Sequence, residues 1–110
     1  MYHKEKFLST LGLMKRAGKL VYGDDLLPYV AKGQCFCVVL CEDASARTQK
    51  QIQDKCKTYG VPVIVFTTRD ELSDAIGMNN RVSVGITTRG FVKALMKSRI
   101  EIEEVSESYE

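Results

Sequence analysis

Histidine is nearly absent from this chain of 110 residues: His3 is the only one, and it stands beside the N-terminus. Its scarcity removes Ser/His/Asp and Cys/His arrangements, which need an imidazole within hydrogen-bond reach of a nucleophile. Phosphate-cradling loops are missing as well, since no G-x-x-x-x-G-K-[ST] stretch occurs and no G-x-G-x-x-G follows a strand-like segment. The start, "MYHKEKFLST", lacks the apolar run of a signal peptide, and the apolar stretches further on are too short to span a bilayer. A cytoplasmic protein with no membrane partner is the expectation.

Metal-binding patterns are equally thin. Four cysteines are present, but zinc favours paired C-x-x-C units or nearby histidines, and Cys35, Cys37 and Cys41 offer neither spacing. These three share one parity within a single apolar run and are expected to project from one strand face as reduced, buried thiols. Glu42 and Asp43, at the end of that run, have the chemistry to bind magnesium or to act as acid and base, but such residues more often cap a following helix. No catalytic residue, metal or cofactor is expected.

What is present describes an ordinary globular domain. Apolar residues make up 45% of the chain and charged residues 27%, and the length is that of a single domain with one core. Charge is unevenly spread. The last ten residues, "EIEEVSESYE", carry five glutamates and no base, so residues 1–100 hold all sixteen Lys and Arg against nine acids, a net +7. One basic domain over 1–100 with an acidic tail over 101–110 follows. A basic body permits a nucleic-acid partner without requiring one.

Periodicity orders the elements. Phe7, Leu8, Leu11, Met14 and, less regularly, Leu13 mark a first helix from Lys4 to Ala17, stopped by Gly18. "KLVYG" is extended, and a second helix begins at Asp24 or Asp25 and closes at Gly33; Pro28 is tolerated only inside its first turn. "CFCVVLC" is a strand buried on both faces and therefore central. A polar third helix follows with a stripe of Ile52, Cys56 and Tyr59, then the strand "VPVIVFT", a short helix "RDELSDAIG", the strand "RVSVGITT" and a last helix "GFVKALMKSRI" with Phe91, Leu95 and Val92 inward. The alternation predicts an α/β fold, a three-layer α/β/α sandwich around a small mixed or largely parallel sheet.

In such sheets ligands gather beyond the carboxyl ends of the strands. Glu42-Asp43, Thr67-Thr68-Arg69 and the polar loop from Gly77 to Arg81 fall there. Asp24 and Asp25 pose a separate question, because a carboxylate at a helix start either caps the first-turn amides or accepts hydrogen bonds from a base edge.

The order of the motifs is informative. "LGLMKRAGKLVYG", "VVLCEDAS", "IQDKCKTYGVPVIVF", "ELSDAIG" and "VSVGITTRGF" together resemble bacterial members of the kink-turn-binding ribosomal-protein family, the L-seven-Ae-like group, from about Leu8 to Met96. The resemblance implies an α/β/α sandwich that binds structured RNA without catalysis, with rRNA or a kink-turn-like RNA as the ligand and the ribosome as a possible setting. It places the RNA site at the start of the second helix and in the loop before the last strand. The family's pattern there, Gly-x-Asn-Glu followed by a base, has two possible registers. One anchors on Gly23 and sets Asp25 and Leu26 in the polar pair with Tyr29 in the basic position; the other sets Asp24 and Asp25 there, with Pro28 replacing the base. The RNA-contacting set implied is Lys19, Gly23, Asp24, Asp25, Leu26, Lys32, Glu42, Asp43, Arg81, Val82 and Ser83, with Lys15 and Arg16 as nearby compensating charges. The alternative is a protein-binding adaptor of the translation machinery that keeps the fold but has lost kink-turn recognition.

Overall fold

A computed structural model describes residues 4–90. Its elements are helix α1 (Lys4–Arg16), strand β1 (Leu20–Val21), a single 3-10 turn (Gly23–Asp25), α2 (Leu26–Ala31), β2 (Cys37–Leu40), α3 (Ala46–Tyr59), β3 (Val63–Val65), α4 (Arg69–Ile76) and β4 (Ser83–Ile86). The expected last helix and the acidic tail lie outside the described residues.

The strands line up in the order β1-β4-β2-β3. β2 and β3 are parallel, joined through α3, whereas β4 runs antiparallel to both β1 and β2. The sheet is thus mixed rather than largely parallel. The cause is the path of the chain: after α4 it returns along Met78–Val82 to the edge where β2 ends, so that Ser83 pairs with Leu40 and Ile86 with Cys37.

Every residue of β2 is buried, as its continuous apolar run requires. Its side chains alternate between two cores. Cys37 and Val39 join Phe7, Leu11, Met14, Leu72 and Ile76 on the α1/α4 side, and Val38 and Leu40 join Leu26, Val30, Ile52 and Cys56 on the α2/α3 side. These are the two outer layers of the sandwich. Phe7 and Phe66 meet edge to face, with centroids 4.8 Å apart, a geometry favoured by the ring quadrupoles. On the other side Gly85 lets α2 settle close to β4. A Cβ at that position would come within 2.6 Å of Leu26 Cδ1 and 2.7 Å of Cys35 Sγ.

Helix ends are set by identifiable groups. Ser45 Oγ accepts from Thr48 N at the start of α3, and Thr68 with Glu71 forms a reciprocal capping box at the start of α4. Three local expectations are corrected. Cys35 packs in the α2/α3 core, opposite to Cys37 and Cys41, because the strand begins only at Cys37 and parity does not carry back through residues 34–36. Tyr59 leaves the apolar stripe of α3 and is exposed, with Lys55 Nζ 5.7 Å from its ring centroid. Leu13 is likewise exposed, between the buried Gly12 and Met14.

Candidate RNA interface at the carboxyl edge of the sheet

β2 and β3 end at the same edge, where β1 also ends and β4 begins. This carboxyl edge gathers Gly23, Glu42-Asp43, Thr67–Arg69 and Arg81–Ser83. A notch of about 190 Å³ opens there between the 3-10 turn, α3 and the entry to β4, lined by Gly23, Leu26, Leu27, Thr48, Gln51, Ile52, Asn80, Arg81, Val82 and Ser83. It is smaller than the roughly 300–1,000 Å³ of small-molecule pockets. A wider groove of about 650 Å³ lies between α1 and α4, but its charged residues Glu5, Arg16, Glu71 and Asp74 form no nucleophile-and-base set.

Arg81 is the best-anchored polar residue of the notch. Its backbone N donates to Ser73 Oγ at 2.9 Å and its carbonyl accepts from the same hydroxyl at 3.3 Å. Its guanidinium lies 5.1 Å from the centroid of Tyr22, a cation–π contact that fixes the side chain. Gly23 makes room for it: the glycine has φ +63°, and a Cβ there would sit 3.1 Å from Arg81 Nη1. Arg81 Nε is buried and has no hydrogen-bond acceptor among the described residues. A buried donor left without an acceptor costs about 1–3 kcal/mol.

The neighbouring backbone is strained. Thr67 (φ 75°) and Asn80 (φ 55°) both occupy the left-handed region, which a β-branched residue rarely enters. Thr67 is held there from two sides: its Oγ1 donates to Glu71 Oε1 at 2.8 Å, and its carbonyl accepts from Glu42 N at 2.9 Å. Glu71 also takes the Thr68 amide and an ion pair from Lys4. Chiefly through the Lys4 contact, its carboxyl is held below the usual glutamate range.

The predicted site residues divide into groups. Gly23, Arg81, Val82 and Ser83 come together at the notch. Asp24 and Asp25 are exposed on the adjoining 3-10 turn, and neither side chain makes a capping hydrogen bond. Of the two roles open to these aspartates, capping is therefore not seen, because the backbone tightens into a 3-10 turn and α2 starts only at Leu26. Leu26 itself is 2% exposed, so although it lines the notch its side chain belongs mainly to the core. Asp43 Oδ1 accepts from Arg69 N at 2.9 Å, which ties the end of β2 to α4 rather than capping α3. Glu42 stays exposed beside it.

Lys19 and Lys32 do not reach this edge. Lys19 precedes β1, about 13 Å of extended chain from Gly23, and its carbonyl accepts from Thr87 N at the far end of β4. Lys32 follows the last residue of α2, about 10 Å along the helix from Asp25. Lys15 and Arg16, in the last turn of α1, also lead into the far edge.

Tyr22, Thr48 and Gln51 are the residues that sequence reasoning missed. Tyr22 adjoins Gly23, which the sequence does mark, but Thr48 and Gln51 enter the notch only because α3 packs on α2, which no local pattern encodes. All four cysteines are buried thiols. Burial pushes the Cys41 thiol up to about 12, with the charge of Asp43 adding to it, and the Cys56 thiol up to about 11. Among the described residues no group of three or more His, Cys, Asp or Glu is placed to hold a metal ion, and no helix is long and apolar enough to cross a membrane.

Fold and edge together define a small α/β/α domain with a clamped arginine lining a small notch. The chain belongs to the ribosomal protein L7Ae/L30e/S12e/Gadd45 family, whose model matches residues 5–96. It is 40% identical over 92 residues to the RNA-binding protein YlxQ of Bacillus subtilis (strain 168), which covers 83% of this chain and 92% of that protein. The RNA-binding protein YlxQ of Enterococcus faecium is 33% identical over 92 residues, covering 83% of this chain and 88% of its own. A solved structure of a Bacillus halodurans C protein of unknown function superposes with TM-score 0.81 at 39% identity, over 84% of this chain and 95% of that one. The Giardia lamblia 15.5kD RNA binding protein superposes with TM-score 0.73 over 92% of this chain and 88% of its own; at 15% identity that likeness speaks for the fold alone.

Proposed function

We propose that this protein is a non-catalytic RNA-binding protein that grips structured RNA, of the rRNA or kink-turn-like class, at the carboxyl edge of its sheet in the cytoplasm. Arg81 carries the reading. Its backbone is clamped by Ser73, its guanidinium rests on Tyr22 beside Gly23, and its buried Nε has no acceptor among the described residues. Arg81 lines the notch, where a phosphate or base-edge oxygen can meet the remaining donors of its guanidinium. Asp24 and Asp25, exposed and free of capping duty, stand where carboxylates can accept from guanine imino and amino groups. The burial of Leu26 favours the register that sets both aspartates, rather than Asp25 and Leu26, in the polar pair. RNA-binding relatives 40% and 33% identical support the same ligand class.

The test is a calorimetric titration against a kink-turn RNA, its G·A-disrupted mutant and an unrelated hairpin, at two salt concentrations. The intact kink-turn is expected to bind tightest. Arg81→Ala should weaken that binding about tenfold or more, the worth of one charge-assisted hydrogen bond, while taking the guanidinium off the Tyr22 ring costs no more than about 1 kcal/mol of stability. Equal affinity for all three RNAs, or an unchanged affinity in Arg81→Ala, removes the notch from the RNA site. Salt-insensitive capture of a protein instead would turn the reading to an adaptor.

A further inference from the structure

The opposite edge of the sheet has its own character. Four segments meet there: residues 15–19, 32–36, 57–62 and 87–90. They contain Lys15, Arg16, Lys19, Lys32, Lys57 and Arg89, and no Asp or Glu. Hydrogen bonds hold the segments in a row. Lys19 carbonyl accepts from both Thr87 N and Thr87 Oγ1 at 3.0 Å, Phe36 N donates to Ile86 O at 2.8 Å, and Val38 N donates to Pro62 O at 3.0 Å. Four adjacent strand ends span about 14 Å at the usual strand spacing.

Helix stability accounts for part of this charge. Lys15, Arg16 and Lys57 stand in last turns, where a cation offsets the helix dipole. It does not account for Lys19, which lies between α1 and β1, or for Arg89, which lies beyond β4. Both are exposed, and neither pairs with a carboxylate among the described residues. Arg89 has a guanidinium 4.9 Å from the Phe36 ring centroid. A guanidinium held on an aromatic face keeps its fork of donors free and has lost much of its freedom already, which suits it to phosphate. Clustered like charges repel one another, and an anionic polymer relieves that repulsion.

We infer that this amino edge is a second RNA-binding surface, one that holds the phosphate backbone of a duplex through Lys19, Lys32 and Arg89 without reading its sequence. The inference rests on the proposed RNA-binding function for its choice of polymer. The two surfaces are separated by the length of β2 and its flanks, about 16 Å from Phe36 to Cys41. One protein can therefore hold a structured motif at one edge and another helical segment at the other.

The experiment uses the full chain, first saturated with unlabelled kink-turn RNA and then titrated with a labelled RNA duplex lacking G·A pairs. The duplex is expected to bind the loaded protein. In the triple variant Lys19→Gln/Lys32→Gln/Arg89→Gln its binding should fall at least tenfold at low salt, and the slope of log K against log salt should flatten by about two to three, close to one for each phosphate left without its cation. Arg81→Ala should bind the duplex as the parent does. Displacement of the duplex by kink-turn RNA, or equal duplex binding in parent and triple variant with matching melting curves, overturns the second surface. Intact duplex binding with loss of binding to phosphatidylserine vesicles overturns it in favour of a membrane. Duplex binding that depends on the three cations, in a protein with no preference for the kink-turn RNA, leaves this surface standing while the carboxyl-edge reading fails.

Discussion

The two edges of one sheet differ in sign and in construction. At the carboxyl edge Arg81 and Arg69 stand among Asp24, Asp25, Glu42 and Asp43, and the backbone is strained at Thr67 and Asn80. At the amino edge the charges of the described residues are all positive and the segments are joined by ordinary hydrogen bonds. A net +7 over residues 1–100 therefore does not say where a polyanion is read. Strong positive charge raises affinity for any RNA, whereas acids beside a fixed arginine penalise phosphate in general and leave room for discrimination between base edges. On the proposed reading the carboxyl edge discriminates a structured motif and the amino edge holds phosphate without reading sequence, and substitutions at each can separate the two roles or show that they are one.

The largest effect is expected where both edges share support. β4 is bonded to β1 on one side and β2 on the other, and Gly85 lies in the middle of it. Gly85→Val would drive methyl groups into Leu26, Cys35 and Val21, with even the Cβ already 2.6 Å from Leu26 Cδ1. Overpacking of this kind costs about 3 kcal/mol. Urea unfolding should show a lower midpoint, and binding at both edges should fall together. Binding that survives at one edge alone would mean the edges do not depend on a common β4.

The two regions also differ in how far the sequence reveals them. Helical spacing in α1, the closed apolar run of β2 and the glycine stops after α2 and α3 are local patterns, and the elements appear where those patterns put them. The direction of β4 is not local. It depends on the return of Met78–Val82 to the carboxyl edge, and this makes the sheet mixed. Gly23, Arg81, Val82 and Ser83 are legible because they flank predicted elements; Thr48 and Gln51 are not, since they reach the notch only through packing of α3 on α2. Lys19 and Lys32 are close to Asp25 in sequence and distant in space, for an extended strand and a short helix each carry the chain away from the turn.

Acid should act on one edge before the other. Glu71 holds Thr67, Thr68 and Lys4 at the carboxyl edge, and its carboxyl lies below its ordinary value of 4.5. A lowered folded value means that the stabilisation is present above the unfolded value and is lost as pH falls through the folded one. Stability of the parent should therefore decline as pH drops below the ordinary glutamate range. Glu71→Gln keeps a capping amide but removes the charge, so its stability should respond less to acid, with a loss at neutral pH of up to about 1 kcal/mol for a partly exposed pair. Thermal melts at a series of pH values check this. Parallel pH curves for parent and variant would mean that the Lys4–Glu71 pair contributes nothing to the strained edge.

The smallest change in stability is expected at Asp25, and that makes it the most discriminating probe of reading against support. Asn and Asp cap helices about equally well, so Asp25→Asn would be silent in stability whether or not the residue capped. Asp25→Ala separates the cases. Loss of a working cap costs about 1 kcal/mol, but the Asp25 side chain makes no capping hydrogen bond, so the alanine variant should melt within a few tenths of a kcal/mol of the parent, as surface substitutions away from such features do. Its RNA preference should nonetheless change, because alanine accepts nothing from a guanine edge, and Asp25→Asn should shift the preference in a different way, since an amide also donates. A stability loss near 1 kcal/mol with unchanged preference would return Asp25 to the role of a cap. Unchanged stability together with unchanged preference would leave Asp24 as the base acceptor at this turn, with Arg81 carrying the contact beside it.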